Sequence, residues 1–360
     1  MTKRKRTFIL SAVATVLFWI GGEIVLGKLA ERKDPVSEKM ADIASSALTS
    51  CLEADDSLLC GIVCIKETGS SREPETVIIA RHGNNPARLD DFSFNAERMA
   101  VVPGAVMQTA TLSWLMEHHG IQPDQTIPTC HGQIPGLAQD YYIRAYYEYA
   151  TGQDSISVRE GFLTSSRYCI DKLVLDTDLR KGLFWYFDDF FGSSRAMHLP
   201  NLRLISDREL AAVADGRGLL LSPDQIVNFY DLIAGGGLRA PRRYYPKKQV
   251  LRPETAAELR LLLRQNVTDG TGRRLAGSAV PIAGKTGFGV MDRGVVPGSG
   301  YIGPDRPMSA SSFAGFFPAD APRYTMLISI IKKDDSIHQT ARVMNLYREI
   351  VEQMQKEELL

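Results

Sequence analysis

The chain is poor in cysteine, with five among 360 residues, and none of them forms a Cys-x-x-Cys pair. That excludes a disulfide scaffold and a paired-thiolate zinc site. It has no excess of either charge, since Lys+Arg and Asp+Glu both total 42, so it lacks the global positive field that holds nucleic acid by counterion release. Histidine is scarce, and its one adjacent pair, His118-His119, would point about 100 degrees apart on a helix and cannot share a metal. These two read as helix surface. There is no internal repeat and no low-complexity tract. No metal site or cofactor is expected, and no nucleic-acid partner. What is present is a hydrophobic fraction of 44%, enough for a sizeable core.

The longest apolar run lies at the start. Lys3, Arg4, Lys5 and Arg6 precede a stretch from Thr7 to Gly27 in which only Glu23 is charged, close to the ~20 residues that span a bilayer core. This predicts a cytoplasmic tail over 1–6, a transmembrane anchor over 7–27 and an extracytoplasmic domain over 28–360, oriented by the basic cluster on the inner side. No small-x-small cleavage site precedes Lys28 and no cysteine there offers itself for lipidation, so a retained anchor is preferred to a signal peptide. Across the membrane disulfides are permitted, and Cys51 is placed to bridge Cys60 or Cys64.

Beyond the anchor, Met40, Ile43, Ala44, Ala47, Leu48 and Cys51 recur at helical spacing between Ser37 and Glu53. Gly61–Ile65 and Val77–Ala80 read as strands around a polar hairpin loop. Residues 104–265 are mostly helical in pattern. Pro281–Phe288, Ser312–Phe317 and Tyr324–Lys332 read as strands, and a closing helix carries Val343, Met344, Tyr347, Ile350, Val351 and Met354 on one face. The order predicts an α+β domain in which an antiparallel sheet from both chain ends carries an inserted helical lobe.

Several strings in this frame belong together. Ala283-Gly284-Lys285-Thr286-Gly287 is followed by Ser312-Phe313-Ala314-Gly315-Phe316-Phe317-Pro318 and preceded by Gly216-Arg217-Gly218, Ser222-Pro223-Asp224-Gln225, Ala234-Gly235-Gly236-Gly237 and Gly270-Thr271-Gly272. In order and spacing this series resembles the transpeptidase domain of penicillin-binding proteins, the serine β-lactamase and D,D-transpeptidase-like family. The resemblance covers roughly residues 37 to 355. It implies a serine at a helix start that attacks an acyl-D-alanyl peptide, a lysine one turn later that eases its deprotonation, a Ser-x-Asn motif, and a Lys-Thr-Gly strand that binds the substrate carboxylate and pairs with the peptide as an added strand.

At the matching positions this chain departs from the pattern. Pro103-Gly104-Ala105-Val106-Met107-Gln108 places Ala105 at the nucleophile and Gln108 at the lysine. Alanine has no nucleophilic atom, and a glutamine amide is no base near neutral pH. Ser165-Ser166-Arg167 keeps the first serine of the second motif and puts arginine in place of asparagine. Lys285, Thr286 and Gly287 are retained, with Phe288 where the family commonly has threonine. The single Ser-x-x-Lys, Ser329 to Lys332, lies in a strand pattern, where residues three apart point to opposite faces. Cys130-His131 is not a catalytic dyad, because adjacent residues seldom face each other. The tyrosines between Tyr141 and Tyr149 and the aromatic run Phe184 to Phe191 read as packing.

No catalytic set is intact, and the positions that carry it in the family are Ala105, Gln108, Ser165 and Arg167. The candidate ligand-binding residues are Lys285, Thr286, Gly287, Ser165 and Arg167. Arg167 has two readings: as a permanent cation it favours an anion such as a peptide carboxylate, or it pairs with a nearby acidic group and plugs the cleft. The expectation is a catalytically inactive penicillin-binding-protein-like scaffold or regulator of peptidoglycan assembly. It would sit in the bacterial inner membrane as a single-pass protein with a periplasmic domain, and have stem peptide and cell-wall synthesis proteins as partners. The alternatives are an active D,D-transpeptidase or carboxypeptidase with a displaced nucleophile, Ser165, and a noncovalent muropeptide or β-lactam sensor.

Overall fold

A computed structural model describes residues 34–80, 100–129, 134, 154–177, 182, 190–191, 206–240, 248–291, 307–332 and 339–360. The apolar run 7–27, Cys130-His131, the tyrosines 141–149 and the aromatics 184–187 lie outside them. Among the described residues no helix is long and apolar enough to cross a membrane. The chain divides into two compact units, 1–42 and 43–360. The first is described only from Asp34, where helix α1 (Pro35–Glu53) begins.

The second unit holds a five-stranded antiparallel sheet in the order β2-β1-β9-β8-β7. Its strands are β1 (Leu58–Glu67), β2 (Glu75–Ala80), β7 (Ala283–Met291), β8 (Met308–Phe317) and β9 (Tyr324–Lys332). Between β2 and β7 runs a lobe with helices α2 (Gln108–His119), α3 (Val158–Leu163), α4 (Arg167–Asp176), α5 (Asp207–Ala214), α6 (Pro223–Ala234) and α7 (Pro253–Thr268). Two short pairs accompany them, β3 (Thr126–Pro128) with β4 (Ser155–Ser157) and β5 (Leu238–Arg239) with β6 (Lys248–Gln249). These are too short to register as apolar alternation. Helix α8 (Thr340–Lys356) closes the chain. The chain ends meet where β1 pairs with β9, as the element order predicts.

Both faces of the sheet are covered, and every residue of β8 and β9 is buried. Cys60, Ile62 and Cys64 point toward the lobe and share a core with Ile226, Phe229 and Leu259. On the other face Tyr347 of α8 meets Phe313 and Phe317, with ring centroids 4.8 and 5.9 Å apart. Strand β8 starts four residues before the apolar run suggests, because Ser309, Ser311 and Ser312 are buried mid-sheet. Their hydroxyls find partners there: Ser312 donates to Ser329 Oγ of β9 at 3.0 Å. That fixes Ser329 as a packing residue.

The bridge from Cys51 to Cys60 or Cys64 is not formed; all three thiols are free. The reason is the sheet itself. Leu48 of α1 packs on Gly61, so the part of α1 from Ile43 on, and Cys51 with it, covers the face opposite to Cys60 and Cys64. Burial pushes the Cys60 and Cys64 thiols up to about 12.

The lobe is fixed to the sheet along a seam of glycines. The segment before α2 pairs with the lobe through Val101 and Leu221, which exchange backbone hydrogen bonds of 2.8 and 3.0 Å. It then lies directly on β7. A Cβ at Gly287 would run into the Pro103 carbonyl, one at Gly289 into Val102, and one at Gly104 into the backbone of Phe288. Gly104 also has φ +54, in the left-handed region that side chains avoid. Gly104→Ala therefore carries a clash on top of a backbone cost of about 1 kcal/mol. Gly120, which caps α2 at φ +65 with nothing within 4 Å, carries the backbone cost alone. In thermal unfolding Gly104→Ala is expected to lower the midpoint by several degrees more than Gly120→Ala; equal losses would mean that the seam is not tight.

Candidate functional site

Ala105 lies in a 3-10 turn over Gly104–Met107 that leads into α2. The turn is held from beneath by the buried Tyr230, whose hydroxyl donates to the Val106 carbonyl at 3.1 Å and lies 2.9 Å from Thr109 Oγ1. It is held from the side by the turn after α5: the Gly104 amide donates to the Gly216 carbonyl at 3.0 Å, and Thr111 donates to the Ala214 carbonyl at 2.7 Å. Gly216, at φ +77, must be glycine, because a side chain there would enter the Gly104 carbonyl. These bonds bring Asp215 against Gln108.

Gln108 is fully buried, and its Nε2 donates to Asp215 Oδ1 at 2.7 Å. The other oxygen of that carboxylate, Oδ2, takes two cations: Arg217 Nε at 2.7 Å and Arg167 Nε at 3.3 Å. Arg217 also reaches Asp171 Oδ2 at 3.6 Å. The position that carries a lysine in the family pattern therefore carries a neutral amide tied to a buried carboxylate, and the positive charge stands on Arg167 and Arg217. A lysine at 108 would meet Asp215 as an ion pair and be held protonated.

Ser165 stands opposite, at φ +57, in the tight turn between α3 and α4. Ser166 caps α4 by accepting from the Cys169 amide. The turn presents the Ser165 hydroxyl to Lys285 of β7, and Lys285 Nζ donates to Ser165 Oγ in a short contact. Lys285 is fully buried, with Nζ 5.2 Å from the centre of the Phe162 ring. Burial in this apolar corner lowers its pKa from the ordinary lysine value of 10.5 to about 7, and Asp215 partly opposes the shift. Thr286 joins through its hydroxyl, 2.7 Å from Thr271 Oγ1, which in turn donates to Asn266 Oδ1 at 3.1 Å. Asn266 of α7 braces β7 by donating to the Gly284 carbonyl at 2.8 Å. Strand β7 ends the sheet order, so its outer edge carries no strand among the described residues.

The sequence-derived residues thus sort into two halves of one cleft. Lys285, Thr286 and Ser165 form one cluster, and Gln108 and Arg167 meet at Asp215. Gly287 serves the seam. Asp215, Arg217, Asp171, Thr271 and Asn266 escape a residue-by-residue reading, although Asp215 stands directly before the Gly216-Arg217-Gly218 string. The acidic partner anticipated for Arg167 is Asp215. His118 and His119 are exposed at the end of α2, as their spacing predicts, and rest on Trp114. Among the described residues no three His, Cys, Asp or Glu side chains converge to hold a metal.

The fold and cleft define a class of protein, and comparison with known proteins gives the same one. The family model of the penicillin-binding protein transpeptidase domain matches residues 80–351, well over half of the chain, and the chain belongs to that family. It is 24% identical over 261 residues to the stage V sporulation protein D of Bacillus subtilis, covering 63% of this chain and 38% of that protein. It is 29% identical over 151 residues to the penicillin-binding protein PbpB of Mycolicibacterium smegmatis, covering 36% and 22%. The chain thus spans well under half the length of these curated relatives. Among solved structures, the transpeptidase domain of Burkholderia pseudomallei penicillin-binding protein 3 superposes with a TM-score of 0.67 at 20% identity, covering 91% of this chain and 97% of that one. A peptidoglycan glycosyltransferase from Burkholderia ambifaria gives 0.66 at 19% identity, covering 89% and 96%. At these identities the two structures show the fold.

The lowered pKa of Lys285 makes stability depend on pH with a definite sign. Between about 7 and 10.5 the unfolded chain binds a proton that the folded chain does not, so stability rises with pH through that window. Below it the folded state bears the full cost of a buried charge. Lys285→Met removes this cost, so its advantage over the wild type should be largest near pH 6.5, on the order of a few kcal/mol, and should shrink toward pH 10. Thermal melts of both proteins across that range test this, and a constant difference would contradict it.

Proposed function

We propose that this protein is a noncatalytic member of the transpeptidase family that binds peptidoglycan stem peptide and acts as a scaffold or regulator in cell-wall assembly. On this reading it is anchored in the inner membrane by residues 7–27, with its main domain on the outer side. The observation that carries the reading is the Gln108–Asp215 hydrogen bond of 2.7 Å. Position 105 lacks a nucleophilic atom, and the group one turn later is committed to a carboxylate that would hold a lysine there protonated. Binding is supported by what is kept: Lys285, Thr286 and Ser165 are clustered at strand β7, whose outer edge suits an added peptide strand.

A second reading is favoured by one specific contact. Ser165 Oγ accepts from Lys285 Nζ, and an amine with a pKa near 7 is neutral often enough to take a serine proton. Ser165 would then be a displaced nucleophile in an active D,D-transpeptidase or carboxypeptidase.

Intact mass after incubation with a reactive penicillin separates the two. The wild type is expected to gain no adduct; a stoichiometric adduct mapped to Ser165 would replace the first reading with the second. The double variant Ala105→Ser with Gln108→Lys is also expected to stay unmodified, because Asp215 holds the new lysine protonated. Adding Asp215→Asn and Arg167→Asn should bring an adduct on the introduced serine at least tenfold faster. Full acylation of the double variant alone would show that Asp215 does not control the site.

A further inference from the structure

Among the described residues, Arg167 leaves most of its hydrogen-bonding capacity unspent. Its guanidinium touches Asp215 Oδ2 through Nε at 3.3 Å, and among the described residues this is its only partner. Both terminal NH2 groups, the prongs that grip a carboxylate side by side, are left without one. The side chain is 36% exposed, against 2% for Asp215, so Arg167 reaches solvent while its counter-ion does not.

Asp215 does not depend on Arg167. Arg217 holds the same oxygen at 2.7 Å, and Gln108 holds the other at 2.7 Å. Arg167 can therefore turn to an incoming anion without leaving a bare buried carboxylate behind, which is the usual large cost of breaking an internal ion pair. The charge balance points the same way. Among the described residues Arg167 and Arg217 pair with Asp215, and Arg217 also reaches Asp171, so protonation of Lys285 adds a positive charge beside this group. An anion there raises the Lys285 pKa and draws in the proton.

The two cationic groups are tied to neighbouring points of the chain. Lys285 Nζ is on Ser165 Oγ, and the Cα atoms of residues 165 and 167 can be no more than about 7.6 Å apart. The asparagine of the family motif would offer one neutral amide where this chain offers a charged fork. We infer that the cleft selects a peptide with two acidic groups at its end, a terminal carboxylate seated at Lys285, Ser165 and Thr286 and a second carboxylate gripped by the Arg167 fork. This rests on the peptide-binding reading above and adds the ligand class.

Calorimetric titration of the full chain in mild detergent tests it with two synthetic peptides, both ending in D-alanine. One carries a free side-chain carboxylate on the penultimate or preceding residue, and its twin carries the carboxamide. The wild type is expected to bind the acid at least about tenfold more tightly than the amide, with a larger preference at pH 6 than at pH 8. Arg167→Asn should erase the preference of the acid over the amide, and Arg167→Lys should keep part of it. Equal affinity of the wild type for both peptides overturns the two-acid inference and leaves peptide binding standing. Binding of neither peptide overturns the peptide-binding reading, and this inference with it. Equal displacement of the acid peptide by millimolar inorganic phosphate in wild type and Arg167→Asn would show that the fork reads no second group.

Discussion

The site depends on a strand and a loop lying closer together than side chains allow. Gly104, Gly287 and Gly289 remove the Cβ atoms that would hold β7 away from the segment opening α2. That close approach joins the sheet, built from both chain ends, to the lobe inserted between them. It sets the start of α2, with Ala105 and Gln108, beside the strand that carries Lys285. Were the seam looser, the retained and altered halves of the cleft would be separate features. The hydrogen bonds from Gly104 to Gly216 and from Thr111 to Ala214 extend the seam to a third element and deliver Asp215.

At Asp215 both carboxylate oxygens are paired, while Gln108 Oε1 is buried without a hydrogen-bond partner among the described residues. A buried carboxylate is tolerated only with donors on both oxygens, and here Gln108 supplies one oxygen and Arg217 the other. The alterations at 108 and 167 are therefore parts of one arrangement. A neutral amide at 108 suits Asp215, and a cation at 167 lies against the same carboxylate. Lys285 sits apart in an apolar corner against Phe162, linked to this network by the field of Asp215 and by the serine that faces it.

Much of the fold is legible because it is written in periodicity. The apolar face of α8 and the runs of β1 and β9 each follow from local pattern. Strand β8 reads short from sequence because its serines look like a break; only cross-strand partners such as Ser329 make them acceptable inside a sheet. The cysteines mislead for a related reason: spacing shows that Cys51 lies near Cys60 along the chain, but not that β1 turns Cys60 away from α1.

By itself the sequence determined the order of elements, the ordered strings that mark the family and the absence of a nucleophilic atom at position 105, since each is a property of residue identity or of short-range spacing. Only the tertiary structure decided what the changed residues touch. Gln108 and Asp215 are 107 positions apart, and Lys285 and Ser165 are 120. Nothing local relates members of such pairs; they meet because the chain closes its sheet around the inserted lobe, and the packing of that closure chooses the partner of each buried charge.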